Sequence, residues 1–76
     1  MLIDKNININ TKNSQGYTPL MMASFIGDIK IFKMLIEKKA NIDAKSTLGE
    51  TALLIAVIVG NDEIVKILLD NKIKEN

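Results

Sequence analysis

The apolar residues of this chain fall into blocks that are closed by glycines, and one block occurs twice. "GYTPLMMASFIG" spans 16–27 and "GETALLIAVIVG" spans 49–60, so the second begins 33 positions after the first. In each block a threonine precedes an apolar run with alanine near its centre. Apolar and small residues spaced three and four apart are typical of a short helix with one buried face. The pattern therefore predicts two equivalent short helices.

The ends of these first helices carry the residues that helix termini prefer. Thr18 and Thr51 are suited to cap the first turn, and Pro19 occupies the first helical position, where its missing N–H has no helical partner to lose. Gly27 and Gly60 can adopt the left-handed backbone that ends a helix. Each first helix is therefore expected to have a defined start and stop.

A second apolar segment follows each closing glycine. Asp28 and Asn61 can cap these second helices, and 62–63 adds two acidic side chains at the positive end of the later one. Their predicted apolar faces are Ile31, Phe32, Met34, Leu35 and Ile36 in the first copy, and Ile64, Val65, Ile67, Leu68 and Leu69 in the second. The polar segment 39–50 is expected to form an extended turn. Because neither helix pair can bury its apolar faces alone, neighbouring units are expected to stack.

The same offset matches the start of the chain. Six residues between Leu2 and Lys12 are identical to the residue 33 positions later. We therefore expect a single domain over 1–76, in which 1–12 is the tail of a preceding unit. Two units follow, 13–45 and 46–76, the latter slightly shortened. The preceding unit would lack its first helix, so that end of the stack is expected to be open.

Composition argues against several classes of partner and cofactor. Ten lysines and no arginine stand against nine acidic residues, and a net charge of +1 provides no basic surface for nucleic acid. The absence of cysteine and histidine removes disulfides and the usual zinc ligands. The longest apolar run, 52–59, is far shorter than the roughly 20 residues that span a bilayer. We predict that the protein binds no nucleic acid, no membrane and no cofactor. The cytoplasm is its default location.

Sequence patterns of catalysis are also missing. Ser24 lies within a predicted helix, and the chain has no histidine to activate it. Asp62 and Glu63 are adjacent at a helix start, and the glycines lack the G-x-x-x-x-G-K-[ST] spacing that cradles phosphate. A two-layer stack this short is expected to offer no deep pocket. The sequence therefore predicts a protein that is not an enzyme.

The combination of period and motif resembles the ankyrin repeat. The period is 33 residues, and the motif reads G-x-T-P-L, an alanine, then G-x-x-x-I-x-K-x-L-[IL]. This resemblance implies an all-α fold, an ankyrin-type α-solenoid of helix-turn-helix units joined by extended turns. The family's histidine after Thr-Pro-Leu is Met21 and Leu54 here. Its glycine after the second helix is Asn6, Lys39 and Lys72, and these departures are expected to lower stability without changing the fold.

Ankyrin repeats bind proteins through turn tips and the concave face of the first helices, so the resemblance implies where a partner binds. The residues predicted to contact a protein partner are Gln15, Tyr17, Phe25, Ile26, Leu48, Glu50, Ile58 and Val59. The four apolar helix residues among them are expected to form a contact patch. The alternative is that helix curvature places half of them in the core. Tyr17 is interpreted either as a binding anchor or as a packing residue.

Two other functions remain open at this point. In one, the chain is a self-associating fragment of a longer array, and a second copy covers its open end. In the other, it is an accessory segment of a longer enzyme. Replacing Phe25 and Ile58 with glutamate distinguishes self-association from partner binding. Lost binding by a folded monomer indicates a recognition surface, whereas a broken oligomer or an unfolded chain indicates assembly surface or core.

Overall fold

The computed structural model describes residues 9–75, with side chains described through Asn71, and this part of the chain contains helices but no strand. The helices are α1 (Pro19–Ile26), α2 (Ile29–Glu37), α3 (Ala52–Val59) and α4 (Asp62–Glu75). Both α3 and α4 begin 33 residues after their counterparts in the first unit. The all-α architecture is therefore confirmed. The predicted left-handed turn at Asn6 lies outside the described residues.

Side-chain caps set the start of each helix. The hydroxyls of Thr18 and Thr51 each accept a hydrogen bond from the backbone N–H of the third residue after them, at 3.3 and 3.2 Å. Asp28 and Asn61 do the same for α2 and α4, both at 3.2 Å. Pro19 occupies the first turn of α1, as predicted. Since these interactions span only three residues, the local sequence specifies them fully.

Helix α2 ends in a strained turn that its surroundings stabilise. Lys39 has φ +68°, and it is the one residue other than glycine with positive φ in the described chain. Its predicted left-handed conformation is thus confirmed. The next residue, Ala40, is buried, and its N–H donates to the carbonyl of Leu35 at 3.0 Å. Burial of Ala40 and this hydrogen bond offset the roughly 1–2 kcal/mol that left-handed backbone costs a residue with a Cβ.

The expectation that the last helix ends before Lys72 is wrong. Helix α4 continues through Lys72 to Glu75 and is five residues longer than α2. A continued helix keeps its backbone hydrogen bonds and avoids placing a lysine in the left-handed region. Lysine alone therefore does not stop a helix here.

The helices form two layers with the core between them. Helix α1 packs against α2 and α3, and α4 packs against α3 and α2, so α1 and α3 form one row and α2 and α4 the other. The buried apolar side chains are Leu20, Met21, Ala23, Phe32, Leu35, Ala40, Ala52, Ile55, Ala56, Ile64 and Leu68. Ala23 and Ala56 keep the two rows close. None of the four described helices is long and apolar enough to cross a membrane.

Candidate protein-binding surface

Two turns with the same internal bonding form the tips of the candidate surface, 13–17 and 46–50. The side-chain oxygen of Asn13 accepts the N–H of the second and fourth residues after it, at 2.9 and 3.0 Å. The hydroxyl of Ser46 does the same in the second turn, at 3.2 and 3.1 Å. Sequence reasoning missed both residues, although an Asn or Ser three positions before a turn glycine is a recognisable signal. Asn13 and Ser46 therefore stabilise the two turns by hydrogen bonds, although the histidine that the ankyrin motif has after Thr-Pro-Leu is absent.

The two turns lie directly against each other. The N–H of Thr47 donates to the carbonyl of Gln15 at 3.1 Å. Gly16 adopts φ +81°, and a Cβ on it would lie 2.6 Å from the nitrogen of Thr47. Glycine is therefore required at this position both for its backbone conformation and for the close approach of the neighbouring turn.

A hydrogen-bond network joins the two turns to each other. The Tyr17 hydroxyl donates to Glu50 Oε1 at 3.0 Å, and the Ser46 hydroxyl donates to the same oxygen at 2.9 Å. The hydrogen bond to Glu50 raises the pKa of Tyr17, and burial and the negative charge of Glu50 raise it further. Both side chains are half-buried. Tyr17 and Glu50, predicted as partner contacts, thus also bond to each other and hold the two repeats in register.

Phe25 and Ile58 occupy equivalent, exposed positions on α1 and α3. The ring of Phe25 meets that of Tyr17 edge to face, with centroids 5.2 Å apart and planes at 81°. This contact fixes the direction of the Phe25 side chain. Because α1 packs on α3, the two exposed side chains belong to neighbouring helices of the same row. The structure therefore provides an apolar surface beside the turn tips.

Ile26 and Val59 are also exposed, but they lie about 100° around their helices from Phe25 and Ile58. Ile26 lines an apolar groove together with Met22. The structure therefore places Ile26 on a different surface from Phe25. None of the four predicted patch residues is buried, so the alternative that half of them belong to the core is wrong.

The two remaining predicted residues lie at the turn tips. Leu48 is the most exposed large apolar side chain of the described chain, and Gln15 is exposed at the equivalent position of the first turn. We use the term inner surface for Gln15, Phe25, Leu48 and Ile58. The Tyr17–Glu50 hydrogen bond holds the two turns beside it together. The inner surface offers apolar area held by rigid backbone.

The acidic side chains of the described residues do not gather into a metal site. Within 9–71, no three His, Cys, Asp or Glu side chains lie close enough to hold a metal ion. Asp62 and Glu63 line an open hollow on the surface together with Lys66. The inner surface accordingly offers contact area and hydrogen-bonding side chains rather than a cluster of titratable groups.

The comparisons with known proteins agree with this architecture. The family described as "Ankyrin repeats (3 copies)" matches residues 1–76. A chain in the solved structure of the Bd0816 predatory endopeptidase from Bdellovibrio bacteriovorus in complex with immunity protein Bd3460 matches with a TM-score of 0.83 and 36% identity. That match covers 87% of this chain and 34% of the other chain. The present chain therefore spans about a third of the length of the chain that it matches. No protein with a curated description matches. On the family match, which extends over its whole length, this chain belongs to the ankyrin repeat family.

Proposed function

We propose that this chain is a non-catalytic module that binds a protein partner through the inner surface, with 1–76 acting as one domain of repeats at 13–45 and 46–76. The observation that carries the proposal is the exposure of Phe25 and Ile58 at equivalent positions on two packed helices. Exposed apolar side chains that are held in place are typical of binding surfaces, where they enter pockets on the partner.

Rigidity explains how so small a surface can bind. The caps fix α1 and α3, and the hydrogen bonds of Asn13 and Ser46 fix the turn tips. A surface that is ordered before binding loses less conformational entropy when the partner arrives. An apolar segment of the partner would cover Phe25 and Ile58, and its edges would meet the turn tips. Ile26 and Val59 would contribute only to a partner that wraps around the helices.

The comparisons support a protein as the partner. Ankyrin repeats generally mediate protein–protein interaction, and the matched solved structure is a complex of an endopeptidase with an immunity protein. The partner of this chain is a protein whose identity is left to experiment. A cytoplasmic location stays a prediction. Nothing in residues 9–75 favours the alternative of an accessory segment of an enzyme.

Two neighbouring residues of α3 provide the test. Ile58→Glu places a charge on the inner surface, whereas Val57→Glu places the same charge about 100° away on the same helix. Both positions are exposed, so both variants are expected to fold. Each is immobilised, and proteins captured from an extract of the source cells are identified by mass spectrometry. The proposal predicts a protein that the wild type and Val57→Glu retain and Ile58→Glu loses. Retention by Ile58→Glu together with loss by Val57→Glu would contradict it.

A further inference from the structure

Tyr17 is bonded to both repeats. Its backbone belongs to the first turn, where its N–H donates to Asn13 Oδ1 at 3.0 Å and its carbonyl accepts the N–H of Asn13 at 3.0 Å. Its hydroxyl donates to Glu50 Oε1 in the second turn, also at 3.0 Å. Glu50 is the equivalent of Tyr17 one repeat later, so the same repeat position supplies the donor in one copy and the acceptor in the next. The phenol ring is therefore held at both of its ends.

The acceptor of this hydrogen bond is itself fixed by the second turn. The Ser46 hydroxyl donates to Glu50 Oε1 at 2.9 Å and accepts the N–H of Leu48 and that of Glu50, at 3.2 and 3.1 Å. The hydroxyl thereby uses its one donor and both of its acceptor positions. A fixed acceptor restricts the directions from which the Tyr17 hydroxyl can donate. The position of the Tyr17 ring thus depends on how the second repeat docks on the first.

The Tyr17 ring in turn restrains Phe25 on the inner surface. The two rings meet edge to face, with centroids 5.2 Å apart and planes at 81°, which is a geometry that aromatic pairs prefer. Phe25 is 40% exposed. A phenylalanine on a helix can adopt two χ1 rotamers, and exposed side chains exchange between rotamers within nanoseconds. The contact with Tyr17 favours the one rotamer in which the rings meet.

Ile58, the equivalent of Phe25 in the second repeat, is restrained in a different way. A β-branched side chain on a helix has one strongly preferred χ1 rotamer, because its second γ carbon would otherwise crowd the preceding turn. Phenylalanine has no such branch, so a single rotamer of Phe25 requires a neighbouring contact. The edge-to-face contact with Tyr17 provides it.

We infer that Tyr17 is a positioning residue for partner binding, which holds Phe25 in the rotamer that the partner contacts and is itself held by its hydrogen bond to Glu50. The inference rests on the proposed function of the inner surface. Tyr17 and Glu50 then act on the partner through Phe25, and Phe25 is ordered only while the two repeats are docked in register. Ordering one side chain before binding corresponds to a roughly 3- to 10-fold gain in affinity.

The rotamer of Phe25 is measured in the chain alone by NMR, from the couplings between its α and β protons. The chain has two phenylalanines, and Phe32, which is 0% exposed, serves as the internal control. The wild type is expected to show the unequal couplings of a single Phe25 rotamer. Glu50→Ala removes the acceptor and is expected to average these couplings, with Phe32 unchanged. Averaged Phe25 couplings in the wild type, or identical couplings in the wild type and Glu50→Ala, overturn the proposal.

Two further variants isolate the hydrogen bond. Glu50→Gln keeps an oxygen that can accept from the Tyr17 hydroxyl, so it is expected to restore the couplings of the wild type. Tyr17→Phe keeps the ring and removes the hydroxyl, and it is expected to average the Phe25 couplings. It also replaces Glu50→Ala if circular dichroism shows that the latter loses helix. A single Phe25 rotamer in Tyr17→Phe, or averaged couplings in Glu50→Gln, contradicts the positioning role.

Calorimetric titration with the protein that the wild type captures extends the test to binding. Glu50→Ala is expected to bind it roughly 3- to 10-fold more weakly, and Glu50→Gln about as well as the wild type. In a Phe25→Ala background, Glu50→Ala is expected to have no further effect, because the side chain through which it acts is gone. An undiminished effect in that background, or an equal loss in Glu50→Gln, indicates that the carboxylate contacts the partner directly and overturns the proposal.

Failure of the proposed function has a different signature from failure of the positioning role. If the inner surface is not the recognition site, Ile58→Glu keeps the partner whatever the rotamer of Phe25. If only the positioning role is wrong, Ile58→Glu loses the partner, whereas Glu50→Ala changes neither the Phe25 couplings nor the affinity.

Discussion

Single residues at equivalent positions of the two repeats have different surroundings, and the turn glycines show this most clearly. Gly16 and Gly49 share a positive φ, +81° and +82°. Only Gly16 has a neighbouring turn within contact distance. Glycine is therefore favoured at this position for two reasons. The positive φ favours it in both copies, and in the first copy the close approach of the next turn leaves no room for a Cβ.

Alanine at the two glycines separates these two reasons. Both variants are expected to lose the roughly 1–2 kcal/mol that left-handed backbone costs alanine. Gly16→Ala is expected to lose about 1 kcal/mol or more in addition, because its Cβ would collide with Thr47. Urea denaturation of dilute protein measures both losses. Equal losses would show that the two turns do not pack as described.

Tyr17 gives a second residue-scale prediction, through its pKa. The hydrogen bond to Glu50 raises the folded-state pKa above the usual value of about 10, so the stability from this bond is present below that pH and is lost as pH rises through the folded-state pKa. Glu50→Ala is expected to lower the Tyr17 pKa. The chain has one tyrosine and no tryptophan, so the ultraviolet absorbance of the phenolate reports this group alone.

The control for this titration is Glu63→Ala, which removes an exposed carboxylate of α4 and is expected to leave the Tyr17 titration unchanged. Identical titrations of the wild type and Glu50→Ala would contradict the hydrogen bond between the two repeats.

At the scale of helices, the starts follow from the sequence better than the ends. Every start depends on a cap within three residues, and all four caps were predicted. The end of α2 depends also on Ala40, which is buried after the turn, whereas α4 passes through Lys72 without turning. A helix end therefore depends on what the following residues pack against, which a local pattern does not contain.

The candidate surface could likewise be predicted only in part from the sequence. The exposure of Phe25 and Ile58 was predicted from the resemblance to the ankyrin repeat, which implies that both lie on the concave face of the first helices. The placement of Ile26 on a different surface was not, since it depends on which helix packs on each side of α1. The Tyr17–Glu50 bond joins residues 33 positions apart, and nothing in either local pattern pairs them.

Helix α2 provides the prediction at this scale. Lys39→Gly relieves left-handed strain of about 1–2 kcal/mol but adds chain entropy to the unfolded state, so a net gain of about 0.5–1 kcal/mol is expected. Thermal denaturation should show a Tm increase of about 4 °C. The same replacement at exposed Lys33, in the middle of α2, is expected to lower stability by about 1 kcal/mol. A loss of stability in Lys39→Gly would contradict the strained turn.

At the scale of the whole molecule, the exposed apolar side chains lie on separate surfaces of the two-repeat stack. Met22 and Ile26 line an apolar groove, whereas Phe25 and Ile58 belong to the inner surface beside the turn tips. Val57 and Ile58 are adjacent in sequence and both exposed, yet the turn of α3 separates them by about 100°. A charge at Val57 is therefore expected to leave a contact made by Ile58 intact.

The central claim, that Ile58 on the inner surface contacts a protein partner, is tested most directly by calorimetric titration of the captured partner. The titration uses the wild type, Ile58→Glu and Val57→Glu at concentrations where each is monomeric. We expect Ile58→Glu to weaken binding at least about 10-fold, or roughly 1.4 kcal/mol, and Val57→Glu to stay within about twofold of the wild type. Full affinity in Ile58→Glu, with the loss in Val57→Glu, would contradict the account and move the recognition site to the side of α3 that carries Val57.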